Sequence, residues 1–197
     1  MGLALVTGPT VEPLTLEEAK AHLRVDSADE DALIAGYILA ARKYVETQTG
    51  PLVTQTWDYT VDRAWPMVGN YYGIRLPYAP CQSVTSVSYV DADGATQTLD
   101  SGQYQASLDS PIPCIWQAYG ASWPSVRDQP AAITVRAVYG YGSAIGSVPD
   151  PIRQAILLMV GRYYEHREEV VLNMLPYQVQ LGVEALIGPY AIGQRSW

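Results

Sequence analysis

Two groups of residues have types and spacings that could perform chemistry. Residues 165–169 (EHREE) place carboxylates and an imidazole one helical turn apart, as a metal site would require. Asp58 and Asp62 fall on one face of a predicted strand, as a pair of acid–base carboxylates would. The first group belongs to a charge run and the second to a threonine-rich strand face. Both patterns therefore favour solvent-exposed surface over a metal or catalytic site.

A glycine-rich turn at residues 140–146 lies between a predicted strand and a predicted helix, where phosphate-binding turns occur. Its spacing is not GxGxxG and no βαβ unit follows, which favours a flexible connection. The two histidines, His22 and His166, lie on different predicted helices, and no nucleophile–base pair can be nominated from spacing. The sequence therefore predicts no catalytic residues, no metal and no cofactor.

Composition narrows the class of protein. The chain has 197 residues, of which 48% are hydrophobic, and this predicts one or two globular domains. With 12 Lys and Arg against 20 Asp and Glu, the net charge is -8. Such an acidic balance excludes a protein that grips nucleic acid mainly by neutralising phosphates, but it is compatible with one that lets DNA pass.

Aromatic usage is uneven, with 15 Tyr, 5 Trp and no Phe. A tyrosine buries its ring but needs a partner for its hydroxyl, so such a chain should have many rings at half-wet sites. Four tyrosines on predicted helices should then lie at helix rims or subunit contacts: Tyr37, Tyr44, Tyr163 and Tyr164. The alternative is compositional drift in a GC-rich genome.

Nothing in the sequence predicts export or membrane insertion. Residues 1–13 lack the features of a signal peptide. The longest apolar run, residues 155–161, is far shorter than the ~20 residues that span a bilayer. One disulfide between Cys81 and Cys114 is open, although two reduced and buried cysteines are favoured. We expect a soluble protein made in a cytoplasm, with no membrane partner.

The first quarter of the chain has the signals of two helices. Thr15 and Glu18 form a capping box that starts a helix near residues 15–24, and Ser27 with Glu30 repeats the pattern before a helix near 28–49. The second helix carries two adjacent apolar rows, typical of a helix packed in a bundle: Leu33, Tyr37, Ala40 and Tyr44, and beside them Ile34, Ile38, Ala41 and Val45.

The middle of the chain alternates apolar and polar residues with the period of a half-buried strand. About six antiparallel strands are predicted: 53–62, 83–90, 96–99, 104–108, 114–117 and 133–139. Helical periodicity returns near 150–168, and the remainder is predicted to contain at most two turns of helix.

The fold class is therefore α+β, a helical bundle with an inserted antiparallel β region. Its parts are 1–51 for the N-terminal helices, 52–142 for the inserted β region, 143–170 for the core helix that completes the bundle, and 171–197 for a C-terminal arm.

Short stretches along the whole chain resemble the head–tail connector (adaptor, or head-completion) proteins of long-tailed bacteriophages, in the branch with a β insertion in the helical bundle. No single stretch is diagnostic, but their order and spacing extend over most of the chain. They are residues 14–26 (LTLEEAKAHLRVD), 31–34 (DALI), 40–42 (AAR), 53–57 (VTQTW), 74–77 (IRLP), 84–87 (VTSV), 89 (Y), 119–120 (YG), 123–124 (WP), 148–149 (VP), 152–156 (IRQAI), 164–165 (YE), 167–168 (RE), 182–186 (GVEAL) and 189–190 (PY).

The resemblance implies a structural protein of the virion neck that is made in the host cytoplasm and is not an enzyme. It implies a ring of about twelve copies beneath the portal protein. Such a ring extends the DNA channel, lets double-stranded DNA pass without sequence-specific binding, and offers a platform for the next neck protein, a stopper or tail-completion protein. It also implies a C-terminal arm that docks on the portal.

Two sets of residues are candidates for these roles. The apolar patch beyond the last core helix is predicted to form the portal-docking arm: Tyr177, Leu181, Val183, Leu186 and Tyr190. The carboxylates at helix N-terminal ends are predicted to line the channel, where they would repel DNA: Glu17, Glu18, Asp29, Glu30 and Asp31. Complementation of helix dipoles on an outer surface remains the alternative for the second set.

Two other functions remain open. The β region could be the binding face of a tail- or baseplate-associated module or enzyme that stacks a ligand on Trp57, Trp65, Trp116 and Trp123. The tryptophans would otherwise be packing residues. A tail-completion or stopper protein of the same neck would differ from an adaptor only in its partner.

Overall fold

A computed structural model of the chain describes residues 1–62, 65–68, 71–166 and 176–192. In these ranges the chain contains helices and antiparallel strands, which confirms the α+β class. It forms two compact units, a β unit of Met1–Gly8 with Thr54–Gly140, and a helical unit of Pro9–Val53 with the residues from Tyr141 onward.

The β unit contains two sheets, and every strand pair in them is antiparallel. The five-stranded sheet has the order β1-β2-β9-β5-β6, and the four-stranded sheet has the order β3-β4-β8-β7. The strands are β1 Gly2–Thr7, β2 Gln55–Val61, β3 Met67–Val68, β4 Tyr71–Arg75, β5 Cys81–Val90, β6 Thr96–Thr98, β7 Tyr104–Ser107, β8 Cys114–Gln117 and β9 Ile133–Tyr139.

Alternation along β2 and β9 decides which face of the larger sheet is buried. Residues opposite one another in register, such as Tyr59 and Val135, project from the same face. That face packs with Ile74 and Ile115 of the smaller sheet in one buried cluster. On the other face, Asp58 lies opposite Arg136. The predicted alternation is thus confirmed for Gln55–Val61, whereas Val53 packs in the core of the helical unit.

All six predicted strands are present, but three others were not expected from the sequence. Strand β1 pairs with β2 and so joins the first residues of the chain to the β unit. Strands β3 and β4 are short and irregular in pattern, and they form where Met67 and Val68 pair with Tyr72 and Tyr71. A short strand that pairs at a sheet edge leaves little periodic signal.

The helical unit contains α1 Leu16–Leu23, α2 Asp31–Thr49, α3 Asp150–Glu165 and α4 Pro176–Ile187. The capping box that starts α1 is confirmed. The Glu18 backbone N–H donates to the Thr15 hydroxyl at 3.0 Å, and the Thr15 N–H donates to a Glu18 carboxylate oxygen at 2.9 Å. These two bonds satisfy backbone donors that the first helical turn leaves unpaired.

The predicted second capping box does not form. Helix α2 begins at Asp31 rather than near residue 28, and its N-cap, Glu30, makes no side-chain capping bond. The Ser27 hydroxyl instead accepts from the Asp29 backbone N–H at 3.1 Å and donates to the Asp29 carboxylate at 2.6 Å. A serine can bond to the backbone two residues ahead without starting a helix, and that local turn prevails here.

The core of the helical unit lies between α2, α3 and α4. Ile34, Ile38 and Val45 of α2 and Ile152 and Ile156 of α3 are at most 3% exposed. Helix α4 has twelve residues, so the expectation of an arm with at most two helical turns is wrong. Its Val183 and Ile187 belong to the same buried cluster, which makes α4 part of the core. The sequence did not indicate this because α3 and α4 are separated by a charged segment.

No helix in the described ranges is both long and apolar enough to cross a bilayer.

Candidate docking surfaces

The predicted channel carboxylates occupy different environments at the start of α1 and just before α2. Glu17 and Asp29 are exposed. Asp31 is paired with Lys20 at 2.7 Å, and Glu30 accepts a hydrogen bond from the Tyr164 hydroxyl. The structure thus leaves Glu17 and Asp29 as the members of the set that face solvent in a single copy.

Glu18 links α1 to α3. One of its oxygens accepts from the Thr15 backbone, and the other binds the Arg153 guanidinium. Arg153 also donates to the carbonyl oxygen of Pro13 at 3.2 Å. The backbone bond from Thr15 and the nearby guanidinium lower the pKa of Glu18, although partial burial opposes them. These contacts explain why an acidic capping box and an arginine in α3 occur together in this fold.

This linkage predicts a pH-dependent stability. Because the pKa of Glu18 is lowered from its ordinary 4.5 by folding, its contribution is complete above pH 4.5 and is lost as the pH falls through the folded pKa. We expect Glu18→Gln to cost less than about 1 kcal/mol at pH 7, because glutamine can keep the capping bond to Thr15 but loses the charged pair with Arg153. Urea unfolding of the two proteins should show this difference disappearing in acid. Glu17→Gln, in the same exposed turn, is the matched control and should change stability little at either pH.

A second charged cluster fixes the segment before α1 to helix α2. Arg42 is 4% exposed and binds Glu12 through Nε at 2.7 Å and Nη2 at 3.3 Å. Its Nη1 binds Glu46 at 2.6 Å, and the other oxygen of Glu46 accepts from the Leu52 N–H at 3.1 Å. Burial opposes the charge of Arg42, but its hydrogen bonds to the two carboxylates and their negative charges outweigh burial and raise its pKa. Arg42 is therefore a buried, paired cation between two partly buried carboxylates.

The predicted docking arm divides between core and surface. Val183 is 4% exposed and packs in the helical core, whereas Leu186 and Tyr190 are half-buried against it. The side chains of Tyr177 and Leu181 lie outside the described residues. Gly182 lies one helical turn before Leu186, and a Cβ placed on it would meet no atom within 4 Å. Gly182 and Leu186 of α4 are half-buried, as is Tyr190 in the 3₁₀ helix Gly188–Tyr190 that follows, and these three residues are here called the open side of α4.

The tryptophans of the β unit do not form an open stacking platform. Trp65 and Trp123 stack on each other with ring centroids 4.2 Å apart and an angle of 11° between planes. Trp57 packs edge-on against Tyr78 at 5.6 Å. All three lie half-buried against the β core, and the Trp65 indole N–H donates to the Pro124 carbonyl oxygen at 2.9 Å. Rings that are paired with each other offer a ligand little stacking surface.

The other candidate groups have structural explanations. Asp58 forms a bidentate pair with Arg136, at 2.8 Å for both bonds, and this arginine lowers the pKa of Asp58 despite some desolvation. Asp62 accepts from the Ala131 N–H at 2.8 Å, so the two carboxylates are not arranged as an acid–base pair. His166 is exposed, and no group of metal-ligating side chains occurs among the residues that the structure describes; Glu169 lies outside them.

The cysteines are buried and unpaired with each other. Burial raises the pKa of the Cys81 thiol to about 11, and burial also raises the pKa of Cys114. Thiols with raised pKa values are protonated at neutral pH and are poor nucleophiles. The favoured prediction of reduced, buried cysteines is confirmed.

The four helix tyrosines are at the rim of the bundle, as predicted. Tyr44 is 38% exposed, and Tyr37, Tyr163 and Tyr164 are partly buried at the edge of the helical core. Tyr37 and Tyr163 also line an open surface cavity of about 260 Å³ with Ala40 and His166. None of the four is fully buried within the single chain.

The two apolar rows predicted for α2 have different fates. The row that contains Ile34, Ile38 and Val45 is buried in the core. The opposite side of the helix, here called the outer face of α2, faces solvent; it consists of Ala32, Leu33, Gly36, Leu39, Ala40 and Tyr44. The helix therefore carries an apolar surface that the single chain does not cover.

Strand β1 is a second uncovered apolar surface, and it was missed by the sequence reasoning. All six of its residues are exposed, and Leu3 and Leu5 are 43% and 50% exposed. The available signal was the uninterrupted apolar run of residues 3–6 (LALV) between glycines. It was not recognised because a run without alternation has no strand period.

Comparison with known proteins identifies the fold. Residues 13–90 match the model of the phage gp6-like head-tail connector protein family. A chain in the neck of an empty gene transfer agent (GTA) particle, computed with C6 symmetry, is 29% identical with a TM-score of 0.74, and the alignment covers 96% of this chain and 95% of that one.

Two further structures are similar over the same extent. A chain of the native GTA virion is 27% identical, with a TM-score of 0.76 and coverage of 96% and 95%. A chain of the native GTA neck, computed with C12 symmetry, is 27% identical, with a TM-score of 0.74 and coverage of 96% and 94%. Comparison with curated proteins gave no match.

The fold and these similarities define a head–tail connector, a structural protein of the virion neck. Residues 13–90 are similar to the phage gp6-like type of these connectors, and the resemblance inferred from the sequence is confirmed.

Proposed function

We propose that this connector assembles as a ring beneath the portal, extends the DNA channel and supports the next neck protein. The observation that carries the proposal is the similarity, over almost the whole chain, to chains of GTA necks computed with C6 and C12 symmetry. A protein of this class needs surfaces for its neighbours more than a reactive site. The exposed outer face of α2 and strand β1 supply such surfaces.

We assign portal docking to the open side of α4. Leu186 and Tyr190 pack against the same core cluster as Val183, but they are only half-buried, so part of each side chain is available for a contact with another protein. Val183 and Ile187 are buried in the helical core, so removing α4 would expose that core. Docking therefore has to be tested with variants that keep α4.

Gly182→Arg provides such a test. A side chain at this position points into open space, and arginine favours a helix more than glycine does, so the variant should fold. We expect it to reduce binding to the cognate portal at least about tenfold, since a charged side chain would be buried in an apolar contact. Electron microscopy of the wild-type protein mixed with its portal should show a ring on the portal. If Gly182→Arg occupied the portal as fully as the wild-type protein does, α4 would not be part of the docking surface. If the wild-type protein formed no ring on the portal, the proposed function would be rejected.

The acidic channel remains part of the proposal, with Glu17 and Asp29 as its solvent-facing members. Carboxylates on a channel wall repel phosphates, so DNA slides past without adhering. Glu17→Lys with Asp29→Lys should leave assembly intact and increase retention of DNA in particles, with the increase falling as salt is added. A ring map in which both residues lie on the outside would overturn this assignment.

A further inference from the structure

The exposed large apolar side chains are concentrated on two surfaces. Of the ten that occur in the described part of the chain, seven lie at β1 or on α2: Met1, Leu3, Leu5, Val6, Leu33, Leu39 and Tyr44. Single apolar residues scattered over a surface need no explanation, but clusters of them mark contacts.

Helix α2 has the composition of a helix that is covered on both sides. Between Asp31 and Arg42 it carries no charged side chain, and residues 32–41 read ALIAGYILAA. A helix that is apolar around its whole circumference is normally buried all round. Here only one side is buried by the chain itself, and the outer face is left without cover.

Strand β1 extends the buried face of its sheet beyond the core. Leu3 lies opposite Tyr59 and Leu5 opposite Trp57, so both leucines project from the face that packs inward. The inward-facing residues of β9 are fully buried, but these leucines are about half exposed. The hydrophobic face therefore continues to β1, where nothing in the single chain covers it.

The other edge strand of the same sheet, β6, has the composition of a strand that is exposed to solvent. Strand β6, Thr96–Thr98, is polar at every position and exposed. Polar and charged residues on an edge strand protect it from pairing and aggregation. Strand β1 has no such protection, which distinguishes a contact edge from a solvent edge within one sheet.

Charge and symmetry select the occupant of both surfaces. Copies of a chain with a net charge of -8 repel one another, so they can approach only through surfaces that lack carboxylates. The outer face of α2 and the side chains of β1 are both uncharged. A closed ring requires head-to-tail contact between two different patches of each subunit, and the chain exposes two such patches.

We propose that the outer face of α2 in one copy packs against strand β1 of the next copy. The inference rests on the ring of the proposed function and names the contact that closes it. The two surfaces match in length, because the 13 residues from Ala32 to Tyr44 extend about 20 Å along the helix and six strand residues extend about 20 Å. The groups flanking the apolar stretch of α2, Asp31 and Lys43, remain at the rim of this contact.

Gly36→Arg tests the α2 side of the contact without disturbing the subunit. A Cβ at Gly36 would meet no atom within 4 Å, so the arginine is accommodated in the single chain. We expect ring formation, measured by sedimentation velocity and by electron microscopy on the portal, to fall at least about tenfold. Ala21→Arg, at an exposed position of α1 outside both surfaces, is the control and should leave ring formation unchanged.

Leu5→Glu tests the β1 side, and Thr96→Glu on the polar edge is its control. Leu5→Glu should prevent ring formation, with Leu3→Glu as a second variant, whereas Thr96→Glu should not. Combining Gly36→Arg with Leu5→Glu places opposite charges on the two surfaces and should restore the ring. Unchanged circular dichroism and thermal unfolding would establish that each variant is folded.

The outcomes separate this inference from the proposed function. If Gly36→Arg still formed rings, or if both Leu3→Glu and Leu5→Glu did, the proposed contact would be wrong. It would also be wrong if the folded double variant formed no rings. A wild-type chain that stays monomeric both in solution and on the portal would also overturn it. If the wild-type protein formed rings that do not bind the portal, and Gly36→Arg formed none, the contact between copies would be supported and portal docking would be rejected.

Discussion

Replacing Arg42 by methionine should destabilise the helical unit by about 3–5 kcal/mol, the usual cost of removing one partner from a buried charge cluster. Arg42 is 4% exposed and neutralises both Glu12 and Glu46. Without it, two carboxylates that face a common site have no counter-charge. Urea unfolding followed by far-ultraviolet circular dichroism should report the loss in helical signal.

Arg136→Met is the matched control for this prediction. Arg136 makes an equally good bidentate pair with Asp58, but its side chain is 45% exposed, so its removal should cost much less stability than the removal of Arg42. Adding Glu12→Gln and Glu46→Gln to Arg42→Met should recover part of the stability because it removes the unpaired charges. Equal costs for the two arginine variants would show that the burial of the Arg42 cluster has no energetic consequence.

Replacing Ile187 by alanine should cost about 3 kcal/mol, because a buried isoleucine is lost and a cavity remains. Ile187 is 1% exposed and attaches α4 to the core. Ending the chain after Val171 removes Val183 as well and should prevent the helical unit from folding. Leu186→Ala, at the half-buried neighbouring position, should cost clearly less and is the control.

Tryptophan fluorescence allows the two units to be followed separately. Four of the five tryptophans, Trp57, Trp65, Trp116 and Trp123, lie in the β unit, so in a Trp197→Tyr background the indole signal reports that unit. Helical circular dichroism reports mainly the other unit. In the Ile187→Ala protein, the helical signal should be lost earlier in urea and the indole signal should move less. A shortened chain with an unchanged helical transition would contradict the assignment of α4 to the core.

Much of this architecture could be predicted because the period of the apolar residues in a segment indicates both its secondary structure and its buried face. The capping box at Thr15 and the alternation in β2 and β9 are local signals, and each corresponds to an element of the structure. The Ser27 box failed because the same residue types can form a turn that does not start a helix. Strand β1 was missed because its partner, β2, lies about fifty residues away in the sequence.

The candidate surfaces were harder to predict than the fold. Sequence periodicity shows that α2 has two apolar rows, but it cannot distinguish the row that meets the chain's own core from the row that meets another chain. Only the burial of Ile34 against the exposure of Leu33 makes that distinction. Likewise, the apolar arm residues suggested a docking segment, whereas Val183 and Ile187 are used by the chain itself.

The position of β9 along the chain has a consequence for biosynthesis. This strand pairs with both β2 and β5 at the centre of the larger sheet, yet it is the last strand to be made. Helix α3, which packs against α2 and α4, follows it. Neither hydrophobic core can close until β9 and α3 have been synthesised, because both elements supply buried residues. Contacts between residues far apart in the sequence also form slowly. The nascent connector therefore spends most of its synthesis with β2, β5 and α2 uncovered, and this is the period in which chaperones would act on it.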